Sequence, residues 1–400
     1  MGEEGRQDGG RAGGKPPRLR LGMVGGGQEA FIGGVHRIAS RIDDAYALVA
    51  GAFSSTAERS RASARELGVA DDRAYDDYEA MAEAEAARED GVEVVAVVTP
   101  NHLHWPVARE FLSRGIHVIC DKPLTATLDD ARAFAELAGR AADESGARLV
   151  LTHNYTGYPM VRQARAMVAS GELGEIRVVQ AEYAQDWLAE DIESSGQKQA
   201  SWRTDPERSG AGGAIGDIGT HAFNLAGFVT GLALESLAAD IDSFVTDRRL
   251  DDNAHVMLRY AGGAKGLLWA SQVAPGNENG LRLRVYGDRG GLEWSQEEPN
   301  RLWHSPLGEP TRLVTRGGVG ANEAANAVTR IPAGHPEGYL EGFANLYSEA
   351  AELFLARREG RTVPDGSLLP DVRDGLAGVA FVDAVVRSSR ENGAWVSLAT

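Results

Sequence analysis

An apolar segment that runs into three consecutive glycines constrains the fold of this chain more than any other feature. The segment 19–24 precedes this glycine triplet, and a helical pattern follows within a few residues. Glycines in this position allow a tight turn, and they bring backbone N–H groups against a pyrophosphate at a helix N-terminus whose dipole favours anions. The pattern therefore predicts a dinucleotide site. The residues expected to contact the cofactor there are Gly25, Gly27, Gln28 and Ala30.

Length and charge narrow the range of partners. Four hundred residues are enough for two domains with sizeable cores. Lys and Arg number 41 and Asp and Glu number 58, so the formal net charge is −17. Because an acidic surface repels phosphate backbones, we expect no nucleic-acid partner.

No segment indicates a membrane or a secreted protein. No apolar run reaches the length of a membrane span, so we expect no membrane partner. Residues 1–17 are rich in Gly, Arg and Glu and lack the apolar stretch of a signal peptide, which predicts a disordered leader and a cytoplasmic protein. The single cysteine, Cys120, excludes an internal disulfide and a cysteine zinc cluster, and its apolar neighbours predict a buried thiol.

Residues 18–153 are predicted to form an α/β Rossmann domain with a doubly wound parallel sheet. Apolar β-branched runs alternate here with amphipathic helical stretches, which is typical of a parallel sheet covered on both faces. The predicted strands are 19–24, 46–53, 92–98, 117–119 and 148–152. The predicted helices are 31–41, 57–67, 78–88, 104–113 and 128–145.

Residues 154–400 are predicted to form an α+β domain with a large, mostly antiparallel open sheet, because strand-like runs joined by glycine turns dominate it. The predicted strands are 176–187, 234–245, 254–260, 264–273, 282–287 and 290–295. The predicted helices are 159–170, 215–229, 338–356 and 370–389. We expect the last two helices to cover one side of this sheet, and the segment 316–336, which lacks periodicity, to be a loop.

The end of the second predicted strand leaves the choice of cofactor open. An acidic residue at this point usually binds the ribose 2′-hydroxyl of NAD. Here the strand ends in Ser54 and Ser55, with Arg59 nearby, so no carboxylate repels a 2′-phosphate. We expect these three residues to contact the cofactor, which is either NAD or NADP.

A polar segment follows the third predicted strand, where strand ends line the ligand crevice of a doubly wound sheet. Thr99, Pro100 and Asn101 open this segment, and His102 and His104 follow. We expect Thr99, Pro100, Asn101 and His104 to lie at the cofactor. Either histidine could instead simply cap the helix that begins here.

A lysine follows the fourth predicted strand, at the same edge of the sheet. Asp121, Lys122 and Pro123 are consecutive, and the bond between Lys122 and Pro123 could be cis. A lysine whose charge is disfavoured by burial and by a cationic cofactor could exchange a proton with an alcohol or donate a hydrogen bond to a carbonyl. We expect Asp121 and Lys122 to contact the cofactor. The alternative is a surface lysine in a turn.

A second candidate pair lies in the later half of the chain. Asp217 and His221 are four residues apart, which places them on one face of a helix, and the glycines that precede them leave room for a ligand. An imidazole is suited to accept a hydroxyl proton near neutral pH, and the carboxylate could orient a substrate hydroxyl. The alternatives are a shared metal ion and an ordinary surface pair. No third ligand has a suitable spacing, so we expect no metal site.

Four motifs, in order, resemble those of a known family. GMVGGG begins at residue 22, TPNHLH at 99, DKPLT at 121 and GGAIGDIGTHAFNL at 212. Together they resemble the Gfo/Idh/MocA oxidoreductases, named for glucose-fructose oxidoreductase and inositol dehydrogenase. The resemblance spans essentially all of the chain after residue 17.

The resemblance implies a Rossmann domain and then an α/β domain whose antiparallel sheet supplies substrate contacts and often the oligomer interface, so we expect a homodimer or homotetramer. It also implies catalytic roles: Lys122 matches the lysine of the family's (E/D)KP motif, and Asp217 and His221 match its D-x-x-x-H pair. The missing acid at Ser54 departs from the NAD-preferring pattern.

Further residues are expected at a substrate pocket because of their positions at the domain junction, beside the polar loop 189–199, or before a late helix. These are Asn154, Tyr155, Trp202, Arg203 and His335, in addition to Lys122, Asp217 and His221. Aromatic rings and hydrogen-bonding side chains suit carbohydrate faces. Core packing or a surface loop is the alternative for each of the five.

The sequence thus favours a nicotinamide-dependent dehydrogenase that acts on a secondary alcohol of a sugar, sugar derivative or cyclitol, with His221 or Lys122 taking the hydroxyl proton. Two alternatives stay open. The first is an enzyme that retains its cofactor and carries out sugar–sugar oxidoreduction or glycoside cleavage. The second is a non-catalytic dinucleotide sensor, in which Lys122, Asp217 and His221 would not converge.

Overall fold

Two β-sheets organise the chain, and each has the burial pattern of its type. The structure is a computed structural model that describes residues 18–28, 30–362 and 367–398, so the expected leader lies outside the described residues. The N-terminal sheet is entirely parallel, with strand order β2-β1-β3-β4-β5. Its strands are β1 (Leu19–Gly25), β2 (Tyr46–Ala52), β3 (Val94–Val98), β4 (His117–Cys120) and β5 (Leu149–Leu151). Its crossover helices are α1 (Phe31–Ile42), α2 (Ala57–Glu66), α3 (Tyr78–Ala87), α4 (His104–Leu112) and α5 (Leu128–Glu144).

The predicted doubly wound arrangement is confirmed. Strand β3 is buried at every residue, as a strand covered by helices on both faces must be. Cys120 is a buried free thiol at the end of β4, as predicted.

The C-terminal sheet has eight strands in the order β13-β12-β11-β10-β6-β9-β8-β7, and all neighbours are antiparallel except β6 and β9. Its strands are β6 (Ile176–Ala184), β7 (Leu234–Asp242), β8 (Asn253–Tyr260), β9 (Lys265–Ser271), β10 (Gly280–Gly287), β11 (Gly290–Ser295), β12 (Arg301–Pro306) and β13 (Arg312–Thr315). Buried and exposed residues alternate along β8 from His255 onward, as expected for a sheet with one covered face. The mostly antiparallel sheet is therefore confirmed, while β12 and β13 lie beyond the last strand that the sequence predicted.

Helices of the later half are α6 (Pro159–Ala169), α7 (Lys198–Arg203), α8 (Pro206–Ser209), α9 (Thr220–Thr230), α10 (Glu323–Asn326), α11 (Tyr339–Arg358) and α12 (Val372–Arg390). A single π-helical turn, Ile215–Gly219, leads directly into α9. The segment 316–336 is mostly irregular, as predicted, but contains the short helix α10.

Helix α11 corrects one expectation. It does not cover the antiparallel sheet; its buried side chains, among them Phe343, Tyr347 and Phe354, share a cluster with Leu21 of β1 and Ile119 of β4. The parallel sheet exposes an apolar face that the crossover helices leave open, and an apolar helix from the end of the chain fills it. Helix α12 behaves as expected, with Phe381, Ala384 and Val385 in the core of the antiparallel sheet.

The glycine triplet and helix α1 approach each other without intervening side chains. Gly25 and Gly26 have positive φ angles of 78° and 67°, which glycine adopts without strain. A Cβ built on Gly33 of α1 would lie 2.3 to 2.7 Å from the backbone of Gly26. Gly33 is therefore required for the close packing of α1 on the loop, whereas the adjacent Gly34 faces open space.

This contrast yields a stability prediction. Gly33→Ala should destabilise the protein by about 1 to 3 kcal/mol because the new methyl group displaces the loop. Gly34→Ala should be neutral or stabilise the protein by up to about 1 kcal/mol, since alanine favours a helix and nothing obstructs it there. Urea unfolding of both variants tests this. Equal effects of the two substitutions would contradict the proposed packing.

Candidate active site

A cavity of about 440 Å³ lies where the carboxyl ends of β3, β4 and β5 face the C-terminal sheet. Both halves of the chain contribute to its walls. Of the residues predicted for the site, those that line it are Thr99, Asn101, Asp121, Lys122, Asn154, Tyr155, Trp202, Arg203, Asp217 and His221. Segments far apart in sequence therefore converge on one space.

The glycine loop borders a second cavity, of about 380 Å³, and Phe31 lines both cavities. Gly27, Gln28 and Ala30 line this second cavity. A Cβ on Gly27 would lie 2.7 Å from the carbonyl oxygen of Phe53, so no larger residue fits there. Gly25 precedes these residues at the end of β1.

The start of α1 has the features of an anion site. Ala30 offers no side-chain cap, and the first turn contains no acidic residue. The N–H groups of this turn are therefore left for a ligand, and the helix dipole favours a negative charge there. Together with the glycine cradle, this arrangement fits the pyrophosphate of a dinucleotide.

The residues after β2 lie outside both cavities. Ser54 is half-buried, and Ser55 and Arg59 are exposed. No carboxylate stands at these three positions, so the structure, like the sequence, does not decide between NAD and NADP.

Two loops at the strand ends are held together by a buried histidine. His104 Nε2 lies 2.9 Å from the carbonyl oxygen of Thr99, and its Nδ1 lies 2.7 Å from that of Pro123. Burial lowers the pKa of His104. Neither His104 nor Pro100 lines the cavity, so His104 joins the loop after β3 to the loop after β4 instead of facing a ligand.

Asn101 ties the same region to the other half of the chain. Its side-chain amide donates to the carbonyl oxygen of Ser209 at 2.9 Å. The Lys122–Pro123 peptide bond is cis, as the sequence suggested. The hydroxyl of Thr99 is buried and has no hydrogen-bond partner within the described residues, and Thr99 lines the cavity.

The central contact of the site joins Lys122 to Asp217. Lys122 Nζ donates to the carbonyl oxygen of Asp217 at 2.5 Å and to its Oδ1 at 3.2 Å. The other carboxylate oxygen accepts from Arg203 Nε at 3.2 Å and from Gln272 Nε2 at 3.0 Å. Burial alone would raise the pKa of Asp217, but the charges of Lys122 and Arg203 and these hydrogen bonds lower it to about 2. Asp217 is therefore ionised at neutral pH.

Local structure places Asp217 in a π-helical turn. Buried Asp251 accepts the backbone N–H groups of Gly213 and Ile215 at 2.6 and 2.8 Å and so fixes the start of this segment. A Cβ on Gly213 would lie 2.0 Å from the Asp251 carbonyl oxygen, so only glycine fits at this position. Such π-helical turns are frequent at functional sites.

His221 is held by aromatic rings instead of hydrogen bonds. Its ring meets those of Tyr155, Tyr183 and His153 at centroid distances of 4.9, 6.0 and 6.2 Å. Its Nδ1 is buried and has no hydrogen-bond partner among the residues described. Burial, with the charge of Lys122 and the nearby His153, lowers the pKa of His221 well below its ordinary value. The imidazole is therefore neutral and can accept a proton.

Tyr155 and side chains at the edge of the C-terminal sheet form an uncharged polar wall, of which the sequence predicted only Tyr155. Tyr155 and Tyr183 share a hydrogen bond of 2.7 Å between their hydroxyls, and Tyr183 donates to Asn279 Oδ1 at 2.8 Å. Gln185 donates to the same oxygen at 2.8 Å. Gln296 extends this wall, which we call the amide wall: Tyr155, Tyr183, Gln185, Asn279 and Gln296. Gln185 follows β6, Asn279 precedes β10 and Gln296 follows β11, so no local motif could reveal the three amides.

The segment between β6 and α9 forms one edge of the cavity. Arg203 lies over the ring of Trp202, with its guanidinium carbon 4.4 Å from the ring centroid, and also hydrogen-bonds Gln199. Both residues contact the site as predicted from position. His335 does not line the cavity; it is exposed, and Tyr339 of the same HPEGY segment lines the cavity instead.

No cluster of three or more His, Cys, Asp or Glu residues in 18–28, 30–362 and 367–398 could hold a metal ion. Over the same residues, no helix has the length and apolar character that crossing a bilayer requires.

Comparisons with known proteins agree with this geometry. The family described as "Oxidoreductase family, NAD-binding Rossmann fold" matches residues 19–153, and the GFO/IDH/MocA C-terminal domain matches residues 161–293. An oxidoreductase from Sinorhizobium meliloti, known from a crystal structure, is 58% identical in sequence to this chain. The match covers 95% of this chain and 100% of that protein's chain, with a TM-score of 0.86.

Two further relatives have informative names. An inositol dehydrogenase homologue from Azotobacter vinelandii, solved with NADH and myo-inositol, is 38% identical over 96% of this chain and 98% of its own, with a TM-score of 0.87. The levoglucosan dehydrogenase of Pseudarthrobacter phenanthrenivorans is 27% identical over 77% of this chain and 80% of its own. The family matches and these identities show that the chain belongs to the Gfo/Idh/MocA family and is an NAD(P)-dependent oxidoreductase.

Proposed function

We propose that this oxidoreductase oxidises a secondary hydroxyl of a neutral sugar, sugar derivative or cyclitol. The observation that carries the proposal is the convergence of Lys122, Asp217 and His221 on one cavity beside the glycine loop. A non-catalytic sensor would not require an amine, an ionised carboxylate and a neutral imidazole around a shared space.

The walls of the cavity support a neutral, hydroxyl-rich substrate. The amide wall offers donors and acceptors without charge, which suits several hydroxyl groups on one ring. The two cations of the cavity, Lys122 and Arg203, are matched by two carboxylates, those of Asp217 and Asp121. No positive charge of these side chains is therefore left over to balance a substrate carboxylate or phosphate. The relatives solved with myo-inositol or named for levoglucosan are consistent with this class.

The cofactor would be held by the glycine loop and the first turn of α1. Gly25, Gly27, Gln28 and Ala30 would hold its pyrophosphate, with Ser54, Ser55 and Arg59 near its ribose. Thr99, Asn101 and Asp121 would lie beside its reactive end. When bound, the nicotinamide accepts a hydride.

The protein's own groups supply position and proton transfer. Neutral His221 lines the cavity and takes the proton of the reacting hydroxyl. Lys122 donates a hydrogen bond to the same oxygen and stabilises the charge that develops there. Asp217, held from several sides, accepts a neighbouring hydroxyl and fixes the ring.

The outer face of the C-terminal sheet supports a homo-oligomer, either a dimer or a tetramer. Met257 and Leu267 on adjacent strands are about half exposed, at 49% and 52%. A contiguous apolar sheet face of this kind is typical of an interface. Sedimentation of the purified protein would count the subunits.

The substrate proposal is tested by incubating the protein with myo-inositol, levoglucosan and a panel of neutral and acidic sugars, each with NAD and NADP. Reduced nicotinamide should form with neutral polyols and not with uronates or sugar phosphates. Reduction only with acidic substrates would contradict the proposed class.

Replacing Lys122 should separate binding from turnover. Lys122→Ala should lower kcat on the order of 10²- to 10⁴-fold, because a proton-sharing donor is lost, while NADH binding weakens far less. Arg140→Ala, which removes an exposed cation of helix α5 away from both cavities and from the outer sheet face, is the control and should behave like the wild type. Retained turnover in Lys122→Ala would overturn the assignment.

The pH dependence of the reaction should reflect a histidine that stays neutral. Because the pKa of His221 is lowered, its base form persists to lower pH than an ordinary histidine with a pKa near 6.5. We expect kcat/KM to show no acid limb near that pH, and His221→Gln to lower kcat by about 10²- to 10⁴-fold. A limb near pH 6.5 that disappears in His221→Gln would contradict the neutral assignment.

Cofactor preference should respond to a single acid after β2. Ser54→Asp should weaken NADP binding at least about tenfold by repelling the 2′-phosphate and leave NAD binding unchanged or tighter. Fluorescence titration with NADPH and NADH measures both affinities. Equal effects on the two cofactors would show that Ser54 does not face the ribose.

A further inference from the structure

One fully buried titratable group has no role in the mechanism above. His36 lies on α1, and its Nδ1 is 2.9 Å from the hydroxyl of Tyr347 on α11. Its Nε2 is 3.6 Å from Asp121 Oδ1 and has no hydrogen-bond partner among the described residues. The imidazole therefore lies between a phenol on one side and a carboxylate on the other.

The neighbours determine which ring nitrogen carries the proton. Asp121 is ionised and can only accept, so an Nε2 lone pair facing it would be repelled. Burial raises the pKa of Tyr347, so its hydroxyl keeps its proton and can donate to Nδ1. The arrangement consistent with these neighbours has Tyr347 O–H donating to Nδ1 and Nε2–H directed at Asp121.

Asp121 connects this pair to the reacting amine. It immediately precedes Lys122, lines the same cavity and accepts the hydroxyl of Thr152 at 2.8 Å. Burial alone would raise the pKa of Asp121, but the proximity of His36, Lys122 and His104 lowers it to about 2. The other titratable groups near this carboxylate are Cys120, His153, Tyr339 and Tyr347.

A packing role alone does not explain why His36 buries a polar Nε2 atom. An apolar residue would fill a space beside Phe343 and Tyr347 without burying an unpaired N–H group, which costs free energy. The separation of 3.6 Å is slightly too long for a hydrogen bond, and contacts of this kind commonly tighten when a site fills.

We propose that His36 is a positioning residue whose Nε2–H holds the Asp121 carboxylate and, through it, the strand end that places Lys122. The inference rests on the proposed function only in taking Lys122 as the reacting amine. A substitution of His36 in helix α1 would therefore alter the position of Lys122, although His36 contacts neither substrate nor cofactor.

Two substitutions of His36 test the roles of its two ring nitrogens separately. His36→Gln places an amide donor near the Nε2 position and can still reach Asp121. His36→Asn keeps a polar atom near Nδ1 for Tyr347 but is too short to reach the carboxylate. Tyr46→Phe, which removes a hydroxyl bonded to the carbonyl oxygen of Tyr347, is a nearby control outside the link to Asp121.

The primary readout is NMR of the lysine side chains in full-length protein labelled with ¹³C-lysine. The chain has only four lysines, and Lys122→Arg assigns the signal of Lys122. His36→Asn should shift this signal while that of Lys265 stays in place; His36→Gln should restore it, and Tyr46→Phe should not move it. An unmoved Lys122 signal in folded His36→Asn, or equal shifts in the Asn and Gln variants, would overturn the proposal.

Kinetics and a measurement on the wild type complete the test. With myo-inositol and NAD, or with the substrate that the screen identifies, His36→Asn should lower kcat by roughly 10- to 100-fold with little change in KM, and His36→Gln should recover most of it. In the wild type, ¹⁵N shifts of His36 should show the proton on Nε2, and a proton on Nδ1 would refute the link even if the variants fail to fold. Because neither NMR measurement needs a substrate, a failed screen would count against the proposed function alone.

Discussion

The contact between Lys122 and Asp217 is the constraint on which the site depends. One partner follows a strand of the parallel sheet, and the other lies in the π-helical turn of the second half. Each charge would be costly to bury alone, and together with Arg203 they satisfy one another. The contact of Gly213 with Asp251 and the hydrogen bonds of His104 hold the backbone that carries these two side chains.

Different neighbours give the buried carboxylates and the buried histidine of the site opposite charge states. The carboxylates stay ionised because cations and donors surround them, while His221 stays neutral because it meets aromatic rings and a neighbouring positive charge. A single cavity thus holds a fixed anion and a neutral base. Separate environments for neighbouring titratable groups are how acid–base roles are divided in enzymes.

Features that depend on neighbouring residues in the chain could be predicted from the sequence. The parallel sheet, the glycine loop and the pair of Asp217 and His221 follow from periodicity, turn chemistry and spacing. The amide wall was missed because Gln185, Asn279 and Gln296 meet only through strand pairing. His335 was expected at the cavity from its position before a helix, but the carbonyl oxygen of this exposed residue accepts from buried Arg316 instead. Helix α11 was assigned to the wrong sheet, since amphipathicity indicates that a helix is covered and not which surface covers it.

The position of α11 has a consequence for biosynthesis. Leu21, Ile119 and Phe343 belong to one buried cluster, although more than two hundred residues separate Ile119 from Phe343. Part of this face of the parallel sheet therefore stays uncovered until the segment that forms α11 has been translated. Domains usually finish folding in the order of their synthesis; here the parallel sheet is completed by a helix that is made after the antiparallel sheet, and a nascent chain stalled before that helix would expose apolar surface to chaperones.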